Sequence, residues 1–369
     1  MSHFVVPGCR FGDLMRGLTL FSVVAAGLCL GGQLSPLQAN EADGRLEIYF
    51  IDVEGGAATL LVTPTGETLL IDSGYPDNAG RDRDRILHVL RDVVGTDKLD
   101  HAIVSHWHLD HFGNHAALAT VIRIGQFWDR GLPDALAEDP QFPDRAAVYR
   151  AASQNRSKTL KVGDTLPLRK PSTIQTELGI KVIMASGEVL PNEGPANPFA
   201  DRHIPKPEDT SDNAKSLSFL LSFGPFRFLC CGDLTWNTEA RLMTPNNPIG
   251  QVDLFMVTHH GLPVSNNPAL VLAIDPVVAV CCNGPTKGGH ESVIATLREG
   301  KSHQALYQLH RNIKLAADQQ TRPEFIANEE TTEACHGVWI KASVAADGQS
   351  YTVQIGPKGL PATYATRMK

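Results

Sequence analysis

No CxxC pair occurs in the 369 residues, and only five of the seven cysteines fall after residue 39. That spacing excludes a zinc ribbon. Basic residues are the minority, 33 against 40 acidic, for a net charge of −7. Such a balance gives no sequence-independent grip on nucleic acid phosphates, which normally comes from Lys/Arg patches. No apolar run reaches the ~20 residues of a comfortable membrane span. Low-complexity linkers are absent too, so one catalytic domain over residues 40–369 is expected. What is present is ordinary globular material, 42% hydrophobic and 20% charged. The 32 Gly and 24 Pro imply many turns and favour a strand-rich or mixed fold over a helical bundle.

The first 39 residues read differently. From Met15, the better start, a basic Arg16 precedes an apolar run from Leu18 to Leu30, then small and polar residues. These are the parts of a secretory signal peptide cleaved after Ala39. The expected product is secreted or periplasmic, without stable membrane insertion after processing; an uncleaved N-terminal anchor is the rival. Losing Arg10, Asp13 and Arg16 removes a net +1, leaving −8 (−7 less +1). Cys230, Cys231, Cys281, Cys282 and Cys335 remain. Export permits disulfides, but both vicinal pairs end apolar runs, which reads as buried strand-end thiols.

Along the chain, "RLEIYFIDVEGG" is a first strand ending in a Gly turn. "ATLLVTPTGETLLIDSG" is a hairpin about Pro64–Gly66, and "RDRDRILHVLRDVVG" a helix with Ile86, Leu87 and Leu90 on one face. "HAIVSH" is a strand. Residues 125–180 are less periodic and read as a variable insertion with short helices. "KVIMA" is a strand, "SLSFLLSFGPFRFLCCGD" a second hairpin and "VDLFMVTHHG" a strand. "NPALVLAIDPVVAVCCNG" gives helix then strand, "ESVIATLREG" a helix, and "YTVQI" a final strand. Two β-rich halves that later carry helices fit two packed sheets with helices outside.

Chemistry-bearing residues recur just after the apolar runs: Asp72, His106 to His111, Asp233, then His259 and His260. Strand ends on one rim of a sheet converge on one cleft. Imidazoles and carboxylates there suit zinc, which leaves a position open for water in catalytic sites. Histidines at i and i+2 reach one ion; Asp110 and His111 reach a second about 3.5–4 Å away.

"HWHLDH" resembles the HxHxDH signature of the metallo-β-lactamase fold, an αββα four-layer sandwich of two mixed sheets. "FIDVEGGAATLLV", "LLIDSG", "SHWHLDHFGN", "FLCCGDL", "VTHHG" and "VVAVCCNG" follow in the family's order, from Arg45 to Ser343. The HHG form and "SDNAKSLSFLLSFG" look most like the soluble domain of bacterial DNA-uptake competence proteins and their phosphodiesterase-like relatives. The resemblance implies a hydrolase with two zinc ions. His106 and His108 would hold the first; Asp110, His111 and His259 the second; Asp233 would bridge. Asp110 and His260 would be catalytic, His260 touching substrate or completing the first ion's shell. Asp72 would orient a ligand, while Asn283 and His290 belong to the last active-site loop, with His290 near substrate. Many members carry a further His where this chain offers Asp212, Asn213 and Ser216, so the first ion is expected to be weakly held.

Two cations lower the pKa of a shared water, and the resulting hydroxide attacks a carbonyl carbon or phosphorus. Phosphodiester-type substrates are implied by the resemblance. The alternatives are a lactam, lactone or ester hydrolase of the same fold, or a metal-bearing surface protein without catalysis. Nucleic acid as a partner is not supported by the charge.

Overall fold

The computed structural model describes residues 43–76, 78–172, 174–331 and 335–367. The expected signal segment, residues 1–39, lies outside them. No helix among the described residues is long and apolar enough to cross a membrane.

Two mixed sheets face each other. In spatial order the nine-stranded sheet runs Ala362–Ala365, Ser350–Ile355, Ile340–Val344, Leu46–Phe50, Thr59–Val62, Thr68–Ile71, Lys98–Ile103, Arg123–Asp129, Lys158–Thr159. The eight-stranded sheet runs Ile326–Asn328, Ala305–His310, Val278–Cys281, Leu254–Met256, Phe226–Cys230, Ser218–Phe223, Leu178–Ala185, Glu188–Val189. Leu46, Ile48 and Phe50 point between the sheets, onto Phe219, Leu221 and Phe228. The alternate residues Tyr49 and Ile51 turn outward, onto Ile86 and Leu87 of the helix Arg81–His88. A strand covered on both faces needs apolar residues at every position, which is why these strands read as continuous runs. The αββα sandwich expected from the sequence is therefore the fold.

Parallel pairing sets where the chemistry collects. Thr68–Ile71, Lys98–Ile103 and Arg123–Asp129 run parallel in one sheet, and Phe226–Cys230, Leu254–Met256, Val278–Cys281 and Ala305–His310 in the other. Their C-terminal ends share one rim, the usual place for ligands in such sheets.

The segment expected to be an insertion is built into this framework. Arg123–Asp129 is a sheet strand, missed because only its last three residues are buried, and Phe142–Ala152 is a helix. Phe142 and Tyr149 from that helix enclose the fully buried Trp107 together with Phe112. "YTVQI" is not the last strand; Ala362–Ala365 follows it. Cys230, Cys231, Cys281 and Cys282 are buried free thiols, as their positions at strand ends required, and Cys335 is half-buried and free.

Candidate metal centre

The HxHxDH turn leaves the strand Lys98–Ile103 and enters the short helix Leu109–Phe112. Side chains on it point in opposite directions by turns. Trp107 goes into the aromatic cluster and donates from Nε1 to the Gly131 carbonyl (3.0 Å), leaving His106 and His108 on the other face. The Trp107 amide donates to Asp212 Oδ2 (2.7 Å), and Asp212 is paired with Arg130. Gly56 lets the first-sheet turn lie against this helix: a Cβ there would stand 2.5 Å from the Asp110 carbonyl oxygen.

Four donor atoms, from Asp110, His111, Asp233 and His260, lie within 4.8 Å of one another, all buried. His111 Nε2 and His260 Nε2 are each 3.2 Å from Asp233 Oδ2 and 3.2 Å from each other. Asp110 Oδ2 is 3.4 Å from His260 Nε2 and 3.5 Å from His111 Nε2. Donors about 2 Å from one cation in a tetrahedral arrangement stand about 3.3 Å apart. The spacing is that of ligands around a common centre.

Their supports fix which atoms face inward. Asp72, fully buried at φ +61°, accepts from the Ser105 amide (2.8 Å) and hydroxyl (2.7 Å) and from His111 Nδ1 (2.8 Å). These bonds fix the His111 ring from behind. His260 Nδ1 donates to the Cys282 carbonyl (3.1 Å), which turns the Nε2 lone pair to the centre. His259 and His260 both have left-handed backbone, φ +53° and +54°, which non-glycine residues adopt at a cost. Gly288 packs on this turn, where a Cβ would lie 2.0 Å from the His260 carbonyl oxygen.

Here the geometry exchanges the two histidines. His260, expected to touch substrate or complete the first ion's shell, stands in the donor set around Asp110 and His111. His259, expected in it, lies on the other side of Asp233. Its Nε2 is 3.3 Å from Asp233 Oδ2 and 3.5 Å from Asn213 Nδ2, and its Nδ1 is 3.0 Å from Ser265 Oγ. The left-handed pair reverses the chain direction, so adjacent rings straddle one carboxylate. Sequence spacing carries no sign of this.

The first-ion side is looser. His106 Nε2 is 4.0 Å from Asp233 Oδ2 and is a buried nitrogen without a hydrogen-bond partner. Asn213 Oδ1 is likewise buried and unpartnered. Two orphaned acceptors beside a carboxylate fit a cation there, because leaving them unmet costs about 1–3 kcal/mol each. His108 is held from behind, its Nε2 3.3 Å from Glu138 Oε1. Glu138 also accepts from the Asp212 amide (2.7 Å). Glu138 sits in the segment read as an insertion, and nothing in its local sequence marked it.

Charge follows the same division. Burial alone would raise Asp233 and Asp110, but His111 above all, with His260, holds both well below the carboxylate range; His259 adds to this at Asp233 and Lys287 at Asp110. Burial would lower His111, yet Asp233, Asp110 and Asp72 raise it well above the imidazole range. For His106, burial and the neighbouring His111 prevail and push it well below. Burial takes His259 down to about 4. Lys287 reaches into the site with Nζ 2.5 Å from Asp110 Oδ2.

Other expected residues lie outside. Asn283 is fully buried and donates to the Gly284 and His310 carbonyls (3.0 and 2.7 Å), so it shapes the loop and does not face the centre. His290 caps the helix Glu291–Arg298, its Nδ1 accepting from the Ser292 amide (3.2 Å). His203 lies against Asn267 (2.8 Å), away from the donors.

Residues 51–171 match the model of the metallo-β-lactamase superfamily. The chain carries a metallo-β-lactamase superfamily domain. Among solved structures it is similar to the metallo-β-lactamase fold protein YhfI from Bacillus subtilis, at 11% identity over 71% of this chain and 96% of that one (TM-score 0.42). It is similar also to CmlA, a diiron β-hydroxylase from Streptomyces venezuelae, at 15% identity over 70% and 52% (TM-score 0.40). A diphosphatase from the PhnP family aligns at 10% identity over 65% and 87% (TM-score 0.34). This chain spans about half the length of CmlA. No curated protein sequence matches it. At such scores the likenesses carry no more than the sheets and the family match already do. The fold binds metal ions, and the residues just described are those that could hold them here.

Proposed function

We propose that this superfamily domain is a metal-dependent hydrolase, exported from the cell, acting on small phosphodiester-type substrates. The observation that carries it is the donor set around Asp233, buried at ligand spacing on one side and open on the other. Divalent cations held there supply a water of lowered pKa and a Lewis acid for the oxygen that gains charge. His111, His260 and Asp110 would hold one ion and His106 and His108 the other, with Asp233 lying between the two sets.

This chain's own residues supply the rest. The Lys287 ammonium stands over Asp110, where an anionic substrate oxygen meets it once that carboxylate is engaged by a cation. His259 is neutral, fixed through Ser265, and faces a cleft of about 430 Å³ lined by Asn213, Trp236 and Val264. As a neutral imidazole it offers a substrate in that cleft a hydrogen bond, not a proton. The acidic balance favours small diesters over polynucleotides. The finer resemblance to DNA-uptake competence proteins is supported by Asn213 standing where others carry a histidine.

One metal-loaded preparation assayed on bis(p-nitrophenyl) phosphate, a chromogenic β-lactam and a lactone tests the reading. Diester turnover is expected, with Lys287→Met raising KM about tenfold, the size of one charged contact, and changing kcat little. Turnover of lactam or lactone alone overturns the substrate class. Bound metal without turnover of any substrate overturns the enzyme. Expression in a Gram-negative host should give a periplasmic or secreted product beginning near Asn40; an intact N-terminus in the cytoplasm rejects export.

A further inference from the structure

A second group of donors lies on the rim outside the centre just described. Asp52 and Glu54 follow the first-sheet strand Leu46–Phe50, and His310 ends the second-sheet strand Ala305–His310. Cys335 lies on the segment that leads to Ile340–Val344. One ligand atom from each of the four lies within 4.8 Å of the others. Asp52 and His310 are fully buried, while Glu54 and Cys335 are half-buried.

We propose that Asp52, His310 and Cys335, with Glu54 at the rim, form a second cation site, suited to zinc, which ties the two sheets together behind the active-site loop.

The imidazole gives the sharpest reason. His310 Nε2 stands 2.9 Å from Asp52 Oδ1, while the buried Nδ1 has no hydrogen-bond partner. Without an ion the pair is held as imidazolium and carboxylate: burial would lower the imidazole, but Asp52 and Cys335 raise it to about 9. A cation in the cluster takes the place of that proton between the same donors, and a ring nitrogen left unmet in the interior costs about 1–3 kcal/mol. The thiol adds a soft donor: Cys335 Sγ is 3.9 Å from Asp52 Oδ2 and 3.7 Å from Asn328 Oδ1. Sulfur, nitrogen and oxygen together select zinc-like ions over magnesium or calcium.

Two arginines oppose this on charge and support it on geometry. Arg85 donates to Asp52 Oδ2 (2.8 Å), Glu54 Oε1 (3.0 Å) and the Cys335 carbonyl (2.8 Å), and Arg81 pairs with Glu54 Oε2 (2.7 Å). The guanidinium charges already balance the two carboxylates. A divalent ion is accommodated when the Cys335 thiol gives up its proton to solvent, leaving a thiolate and a net +1. Arg85 binds Asp52 through Oδ2, while Oδ1 accepts from the Glu54 amide (3.0 Å) and faces His310; Arg85 thus fixes both Asp52 and the Cys335 backbone as an outer partner does for a metal ligand. The rival is a closed salt-bridge network with no ion. The site adjoins the catalytic rim, since Asn283, which precedes the Lys287 loop, donates to the His310 carbonyl.

The test uses the full chain, stripped of metal and reloaded with cobalt(II), as wild type, Cys335→Ser, His310→Ala and Asp233→Ala. Wild type and Asp233→Ala should show a thiolate-to-cobalt charge-transfer band in the near ultraviolet, absent from Cys335→Ser. Elemental analysis should find one equivalent less in Cys335→Ser than in wild type. The serine is close in size, and circular dichroism checks that it folds, so the result stands even where His310→Ala does not. A band missing from wild type, a band persisting in Cys335→Ser, or equal metal content in the two overturns the site. Asp233→Ala separates this outcome from failure of the proposed hydrolase centre.

Discussion

On one side of Asp233, His111 and His260 each stand 3.2 Å from its Oδ2, with Asp110 closing the set and Asp72 behind His111. On the other side, His106 is 4.0 Å away, His108 leans on Glu138, and the Asn213 amide stands 3.5 Å from His259. Both sides hang from the ends of the same strands, so the fold is not the cause. The close side is braced by buried carboxylates and backbone carbonyls of the two sheets. The open side is braced by a connecting segment, through Glu138 and the Asp212–Arg130 pair. A site is as tight as the elements that hold its outer partners.

Breaking the close side should do the most damage. His111→Ala removes the imidazole that meets Asp110, Asp233, Asp72 and His260 together and leaves the three carboxylates without it. Turnover should fall by roughly a thousandfold or more with the loss of both ions, since the hydrolytic chemistry depends on them. Elemental analysis with activity on one sample decides it; two retained ions would show that the close side is not where metal is held.

The HHG turn carries a ring to each side, and Glu239 anchors it from beneath. Fully buried, Glu239 accepts from the Asn267 amide (2.7 Å), and burial pushes its carboxyl up to about 7 against that bond. The unfolded group titrates near 4.5. The folded value is the higher, so this stability is complete below about 4.5 and is lost as pH rises through 7. The span is worth about 3 kcal/mol at ~1.36 kcal/mol per unit. Urea unfolding of wild type and Glu239→Gln at pH 5 and pH 8 should show wild type losing about that much more than the variant. Parallel losses would mean the carboxylate finds compensation at high pH.

Much of this was legible in the sequence, and the rest was not for identifiable reasons. Strands buried on both faces announce themselves as apolar runs, so their ends, and hence Asp72, His106, Asp110, His111 and Asp233, could be placed. His259 and His260 were exchanged because two consecutive left-handed residues reverse the chain, and no residue type there advertises positive φ. Glu138 was invisible because it acts across 74 residues on the Asp212 amide and from the side on His108. Cys335 and His310 meet Asp52 only when both sheets close, at separations no local pattern spans.

Loosening the open side further should cost less. Glu138→Gln keeps the shape and removes the charge that orients His108. Loss of such an outer partner typically lowers metal affinity by 10–100-fold. Competition with a chromogenic chelator should show the weaker ion leaving earlier by that margin while the tighter one is unmoved. Equal shifts for both ions would mean that the sides are not independent.

Tightening the open side is the subtlest change. Asn213 already lies 3.5 Å from His259 Nε2, with its Oδ1 buried and unpartnered, so the position faces the centre. A histidine there adds an imidazole to the group of His106, His108 and Asp233. Wild type should release its ions stepwise under a mild chelator, the open side first, with activity falling at the first step because the water needs both cations. In Asn213→His the two steps should draw together, the first moving to higher chelator by several-fold while the second stays in place. Metal analysis along the titration reads both. Two ions leaving together from wild type would show that His259 or another donor already closes the open side, and that the unequal distances about Asp233 do not translate into unequal binding.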